Sequence, residues 1–481
     1  MQRESAWGGG VLGDVRGAAC LLGLCLVISL STSYSLCVRP NGAEGVLRGL
    51  GWAAGASRAV TFLLVALLST RLVALARHPR VPWVASACSV VGMALTAVTD
   101  EAAGALAWPS PGVAVALGHL GLALSSVGYA LLYLCWIELY ARMDQLHVVA
   151  FFSLAHLLSA LVSLVVFMLP SRAVVIACVA AMPLASAALY RRSLRVVRDA
   201  PFMRGERQLS GWSLPVMLIV LLFSFTFANA FVRHFLEDGM KAIVLVGVMA
   251  AALLVLVVLR LRGDRFDLRA PYDLSLPLIV AASLCVLVSL PGFGTAGGML
   301  SNAAFVLFSI FTTALLCNIS YRDGVNALWL FGFAGAATSL GSVASGALSA
   351  IVDAHDGGQT ALTLVVGAVI MVFVSLYAAF SGYGESARAW GIRRLGAASR
   401  ADEAAGGGVD EIEERCARLA RRFGLTRREE EVMALLARGE TYAQIEDLLS
   451  ISNSTLKTHA RHVYAKTGAA DRTELTRLVR G

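Results

Sequence analysis

Charge is scarce in this sequence. Asp, Glu, Lys and Arg make up 15% of its 481 residues, and hydrophobic residues make up 57%. Soluble domains carry about 25% charged residues, so the deficit argues against an ordinary water-soluble chain. Metal-ligand spacing is missing too. The nine cysteines, at 20, 25, 37, 88, 135, 178, 285, 317 and 416, form no Cys-x-x-Cys and no Cys/His pattern. Most lie in apolar runs, where Cys acts as a small hydrophobe. No disulfide, metal site or cofactor is expected. There is no P-loop, no phosphoacceptor receiver pattern and no nucleophile–base constellation. These absences argue against an NTPase, a phosphorylation-driven regulator and an enzyme.

What is present is a series of long apolar runs. A span needs about 20 mostly apolar residues to cross a bilayer. Such runs occur at about 17–38, 52–75, 82–99, 112–137, 147–169 and 172–190, and after a polar break at about 213–233, 241–261, 273–291, 297–318, 325–351 and 359–380. The expectation is an all-α, polytopic transmembrane bundle of about 12 spans in a six-plus-six layout. The flank of the first run is poorly charged, with Arg3 and Arg16 offset by Glu4 and Asp14, and no small-residue cleavage site follows it, so it reads as an uncleaved helix.

Flanking charge gives an orientation. With a cytoplasmic amino terminus, the inner loops hold fifteen arginines: 71, 77, 80, 142, 191, 192, 195, 198, 204, 207, 260, 262, 265, 269 and 322. The outer loops hold five cations: Arg39, Arg48, Arg172, Arg233 and Lys241. Basic residues favour the cytoplasmic side. Both termini are therefore expected in the cytoplasm, with the chain in the inner (cytoplasmic) membrane.

The six-plus-six layout, with the Arg-rich connector Arg191–Gly211, resembles the major facilitator fold over about residues 17–380. The family's Gly/Asp-Arg/Gly-Arg loop motif between the second and third helices is absent from Ser69–Arg80, and Gly263-Asp-Arg-Phe-Asp267 echoes it faintly. Polar residues inside spans are costly and usually face the bundle interior. Arg58, His119, Glu138, His156, Asn229 and Asn302 are the candidate ligand-binding residues, with Tyr129, Tyr133 and Trp136 running toward Glu138. The alternative for each is interhelical hydrogen bonding or, for Glu138, an interfacial place.

Charge returns at the carboxyl end. Residues 1–384 hold 23 Lys/Arg and 17 Asp/Glu, whereas the last 97 residues hold 17 and 15. Three domains are expected: a transmembrane sensor at 1–380, a flexible linker at 381–409 and a compact tail at 410–481. The Gly/Ala-rich linker has an average reach of roughly 30 Å. Its Arg388, Arg393 and Arg394 suit anionic lipid.

In the tail, Glu411–Phe423 is amphipathic, and helices are expected at 426–438, 442–450, 453–467 and 471–479. Thr426 with Glu429 and Thr441 with Gln444 fit capping boxes, and Asp471 with Glu474 is a looser case. Gly439 and Gly468 suit helix ends. Val432, Leu435 and Leu436 share a face, as do Ile445, Leu448 and Leu449. In the third helix Leu456, Ala460, Val463 and Thr467 form the inward stripe. The opposite face, Ser454, Lys457, Thr458, Arg461 and Ala465, has two cations, two hydroxyls and no acid. Such a face suits the major groove; alone, it also fits a solvated surface. Residues 452–481 carry six Lys/Arg against two Asp/Glu.

The segments Leu425-Thr-Arg-Arg-Glu-Glu-Glu-Val432, Leu436-Ala-Arg-Gly439, Ile451-Ser452, Thr455-Leu-Lys-Thr-His459 and Val463-Tyr-Ala-Lys466 with Gly468 are similar to the LuxR-type helix-turn-helix, in order and in register over about 420–480. The resemblance implies a tetrahelical DNA-binding domain. Its third helix reads the major groove, and its fourth pairs two copies into a homodimer. By position, Lys457, Thr458 and Arg461 contact bases or nearby phosphates. Ser454, Thr455, His462 and Lys466 hold the DNA backbone, and His459 packs or positions. Arg427, Glu446, Ser454, Leu456 and Thr467 depart from the usual residues. The whole layout resembles bacterial regulators in which about twelve membrane helices precede such a domain. The implied function is a membrane-tethered one-component transcription regulator, with double-stranded DNA, the lipid bilayer and a small-molecule ligand as partners. The alternative is a secondary transporter with a regulatory DNA-binding tail, and a further one makes the tail a protein-interaction module.

Overall fold

In the computed structural model, residues 11, 14–15, 18–37, 44–76, 78–105, 111–196, 216–234, 242–263, 266, 269–287, 293–323, 325–353, 366, 408–437, 445, 453–469 and 472–480 are described. They form helices and no strand, and divide into two compact units, Met1–Arg393 and Arg394–Gly481.

In the first unit a 3-10 turn, Ala19–Gly23, leads into α1 (Leu24–Cys37). Then follow α2 (Glu44–Leu67), α3 (Ser69–Ala76), α4 (Val81–Ala105), α5 (Pro111–Tyr140), α6 (Gln145–Phe167) and α7 (Arg172–Val196). The second half holds α8 (Val216–His234), α9 (Leu245–Arg262), α10 (Arg269–Leu287), α11 (Phe293–Asp323) and α12 (Ala327–Asp353). Eight of these are long and apolar enough to cross a membrane, and Ala19–Ser31, Ala54–Leu67 and Leu218–His234 are shorter apolar helices. Eleven of the expected runs fall on these helices; the twelfth, 359–380, lies outside the described residues apart from Val366, as do most of the Arg191–Gly211 connector and the linker up to 407. Two details differ from expectation. The run 52–75 is split at Leu68, where Ser69 and Thr70 favour a new helix start. The short run 82–99 lies within a helix of 25 residues.

Packing within each half relies on small residues, which let backbones approach closely. A Cβ on Gly121 of α5 would lie 2.7 Å from the Gly92 carbonyl oxygen of α4. Hydroxyls join other helices: Ser29 Oγ donates to the Ser159 carbonyl at 3.2 Å, and Ser86 Oγ to the Pro183 carbonyl at 2.7 Å. The two halves meet where α2 packs on α12 and α6 packs on α9 and α11. At the α2–α12 contact, a Cβ on Gly335 would lie 2.6 Å from the Phe62 ring.

The second unit contains α13 (Gly408–Phe423), α14 (Arg427–Ala437), α15 (Asn453–Thr467) and α16 (Arg472–Arg480). Cys416 and Ala420 of α13, Val432, Met433 and Leu436 of α14, and Leu475 and Val479 of α16 share one core with Ile445 and the inner side of α15. Gly424 (φ 61°) and Gly468 (φ 74°) end α13 and α15, in a conformation that a Cβ disfavours. The expected helix 442–450, with Thr441, Gln444, Glu446, Leu448 and Leu449, lies outside the described residues except for Ile445, which is fully buried. Gly439 and Asp471 also lie outside.

Candidate nucleic-acid interface

The sequence of α15 sets its two sides. Leu456, Ala460 and Val463 recur at i, i+4 and i+7 and are buried to 1% exposure or less. Thr467, the fourth residue of the expected stripe, is half-buried; its hydroxyl donates to the Val463 carbonyl at 2.7 Å, so a polar residue is tolerated where an apolar one is usual. The turn of the helix then puts Lys457, Thr458 and Arg461 on the exposed side, with Thr455, His462, Ala465 and Lys466 also exposed and His459 half-buried. Ser454 lies in the first turn. None of the fifteen residues of α15 is acidic. The helix therefore presents cations and hydroxyls outward from a rigid apolar base, the arrangement a major groove accepts.

Glu429 of α14 supports this helix from behind. It is buried, and it closes the capping box: the Thr426 amide donates to Glu429 Oε2 at 2.8 Å, and the Glu429 amide donates to Thr426 Oγ1 at 3.3 Å. The same carboxylate receives Lys466 Nζ at 2.7 Å and lies 3.4 Å from His462 Nδ1. Lys466 Nζ also donates to the Gly424 carbonyl at 3.2 Å. Burial by itself raises the Glu429 pKa, but the Lys466 ammonium and the Thr426 donors outweigh it and hold the carboxyl at about 2. Lys466 is thus engaged inside the domain, whereas Lys457 and Arg461 point outward. The capping box was readable from Thr426 and Glu429. The link from Glu429 to Lys466, 37 residues on, left no periodic signal, whereas the burial of Met433 follows the i, i+3, i+4 spacing it shares with Leu436 and Ala437.

The membrane candidates do not form one cluster. Arg58 of α2 lies over the Tyr129 ring of α5, 5.8 Å from its centre. Glu138 is buried and pairs with Arg142, in the turn that follows α5, at 3.4 Å. His156 of α6 is buried against Phe152, with Nε2 lacking a hydrogen-bond partner. Asn229 of α8 accepts from Ser301 Oγ of α11 at 2.8 Å, next to Asn302. His119 is half-buried on α5. Trp136 has a packing role: its Nε1–H donates to Ser186 Oγ, whose hydroxyl donates to the Gly23 carbonyl, both at 2.9 Å.

Comparison with known proteins supports both units. Residues 424–479 match the family described as bacterial regulatory proteins, luxR family. No curated protein matches the chain. Among solved structures, the chain is similar to a bacterial homologue of the iron transporter ferroportin in an outward-facing state, with 13% identity and a TM-score of 0.55, over 75% of this chain and 99% of that one. It is also similar to the major facilitator superfamily proton:xylose symporter XylE bound to 6-bromo-6-deoxy-D-glucose, with 12% identity and a TM-score of 0.51, over 75% and 94% of the two chains. At such identities the likeness concerns the fold. Neither the LuxR-type domain nor this transporter fold is in general an enzyme. The chain is a multi-pass membrane protein with a major-facilitator-like fold, followed at 424–479 by the DNA-binding domain of a LuxR-type regulator.

Proposed function

We propose that the chain is a one-component transcription regulator held in the inner membrane. Its bundle, residues 1–380, senses a small molecule. A linker at 381–409 carries the signal to residues 410–481, which bind promoter DNA as a homodimer through α16, with both termini in the cytoplasm. One observation carries the reading: the outward side of α15 is cationic and acid-free and belongs to a luxR-family domain. Lys457, Thr458 and Arg461 are assigned to bases and nearby phosphates, and Ser454, Thr455 and His462 to the backbone. Lys466 serves the backbone only where Glu429 releases it.

The test uses the purified full chain and duplex fragments recovered with it from cells. Affinity falls steeply with salt, as counterion release requires, and Lys457→Ala with Arg461→Ala weakens it at least about tenfold. Salt-independent binding, or binding that survives the double substitution, overturns the reading. A second reading, a secondary transporter whose tail reports on transport, is favoured by the near-complete coverage of a transporter's length. Substrate uptake by proteoliposomes would favour it.

A further inference from the structure

Arg58 stands apart among the polar residues of the bundle. It shares a face of α2 with Phe62 and Val65, at i, i+4 and i+7, whereas Val60, Leu63, Leu64 and Leu67 are exposed large apolar residues of that helix. The guanidinium therefore points away from the lipid side, toward α5. Arg58 lies about 14 Å from the end of α2, and Tyr129 about 17 Å from the end of α5, at 1.5 Å per residue. Both residues lie within apolar helical stretches, Ala54–Leu67 and Ala116–Tyr140.

The surroundings are aromatic and hold no counter-charge among the described residues. Tyr129 lies beneath the guanidinium. Tyr133 lies one turn on, with its ring nearly parallel to that of Tyr129 at 6.2 Å, and meets Phe62 edge-on. Arg58 Nε is buried and has no hydrogen-bond partner. The buried acid of α5, Glu138, is paired with Arg142. A ring face attracts a cation but satisfies none of its five N–H donors. A charge with a buried, unpartnered N–H inside an apolar bundle is costly, and such residues usually mark a ligand path.

We propose that Arg58, with Tyr129 and Tyr133, is the anion-holding point of the membrane unit, and that its ligand is an organic anion: one carboxylate or phosphate on an apolar body. A guanidinium binds such groups through two parallel hydrogen bonds, and the tyrosine rings receive the apolar part. The inference rests on the sensing role given above and names the ligand class. The chemistry has two sources, a soluble carboxylate and an anionic lipid.

The probe is sodium benzoate, added to the full chain in neutral detergent, with benzamide as the uncharged control and phosphatidylglycerol micelles as the lipid arm. At 10 mM, benzoate raises the unfolding midpoint by about 2 °C or more, benzamide does not, and Arg58→Gln weakens the response at least tenfold. A response to phosphatidylglycerol alone that Arg58→Gln removes supports the same site with a lipid occupant. Equal stabilisation by benzoate and benzamide, or responses that survive Arg58→Gln, overturn the proposal, as does the absence of any response. If Arg58→Gln does not yield a monodisperse protein, the benzoate–benzamide comparison on the unaltered chain decides. DNA binding is measured on the same preparation. Its loss with the anion response intact counts against the regulator alone, and the converse counts against the anion site alone.

Discussion

Glu429 and Lys466 form an ion pair at 2.7 Å between α14 and α15, with the carboxylate side chain 5% exposed and the ammonium side chain 37% exposed. The pair joins the capping box of one helix to the last turn of the helix assigned above to DNA. The partial exposure of Lys466 limits its worth, because water screens one partner.

Acid should loosen this joint. The Glu429 carboxyl titrates at about 2 in the folded domain against an ordinary 4.5. A lowered carboxylate pKa stabilises the fold above the ordinary value, and that stabilisation is lost as pH falls toward the lowered one. Amide-exchange protection of residues 453–469 is expected to drop between about pH 4.5 and 2. Glu429→Gln should already lower stability at pH 7, by about 1–2 kcal/mol, and flatten that pH response. A full response in the variant would show that other groups titrate.

Two lysines of α15 should behave differently. Lys457→Ala is expected to reduce the slope of log affinity against log salt by about one and to leave the melting of the tail unchanged. Lys466→Met is expected to lower tail stability, with a smaller change in salt slope. Reversed results would exchange the two roles.

Ser186 is the relay between Trp136 and Gly23. Ser186→Ala leaves a buried indole N–H and a carbonyl without this partner. The expected cost is about 1–3 kcal/mol, read as a lower unfolding midpoint in detergent. An unchanged midpoint would mean that neighbouring groups replace the hydroxyl.

At Gly335 there is no space for a side chain beside Phe62. Gly335→Leu should part the two halves or prevent assembly, detectable as faster cleavage of the bundle by added protease. Gly294, where a Cβ meets nothing within 4 Å, should accept Ala without such a change.

The helices were readable because their information is local. Apolar length marks a span, and periodic burial marks α15 from Leu456, Ala460 and Val463. The inner and outer sides of that helix follow from the same spacing. Contacts across long separations were not readable. Glu429 appears in the sequence as a cap and Lys466 as one more cation, and only the fold brings them together. Trp136 shows the same limit: its position near Glu138 pointed to a pocket, whereas its indole N–H finds Ser186. The membrane candidates were chosen for polarity alone, and polarity does not separate Asn229, which is hydrogen-bonded to Ser301, from Arg58, whose Nε is not.

Phe62 touches two things at once. One side of its ring fills the hollow left by the missing side chain of Gly335, and its edge meets Tyr133. A single phenyl group is thus wedged between α5 and α12, one from each half. Truncating Phe62 would therefore open space against both halves at once.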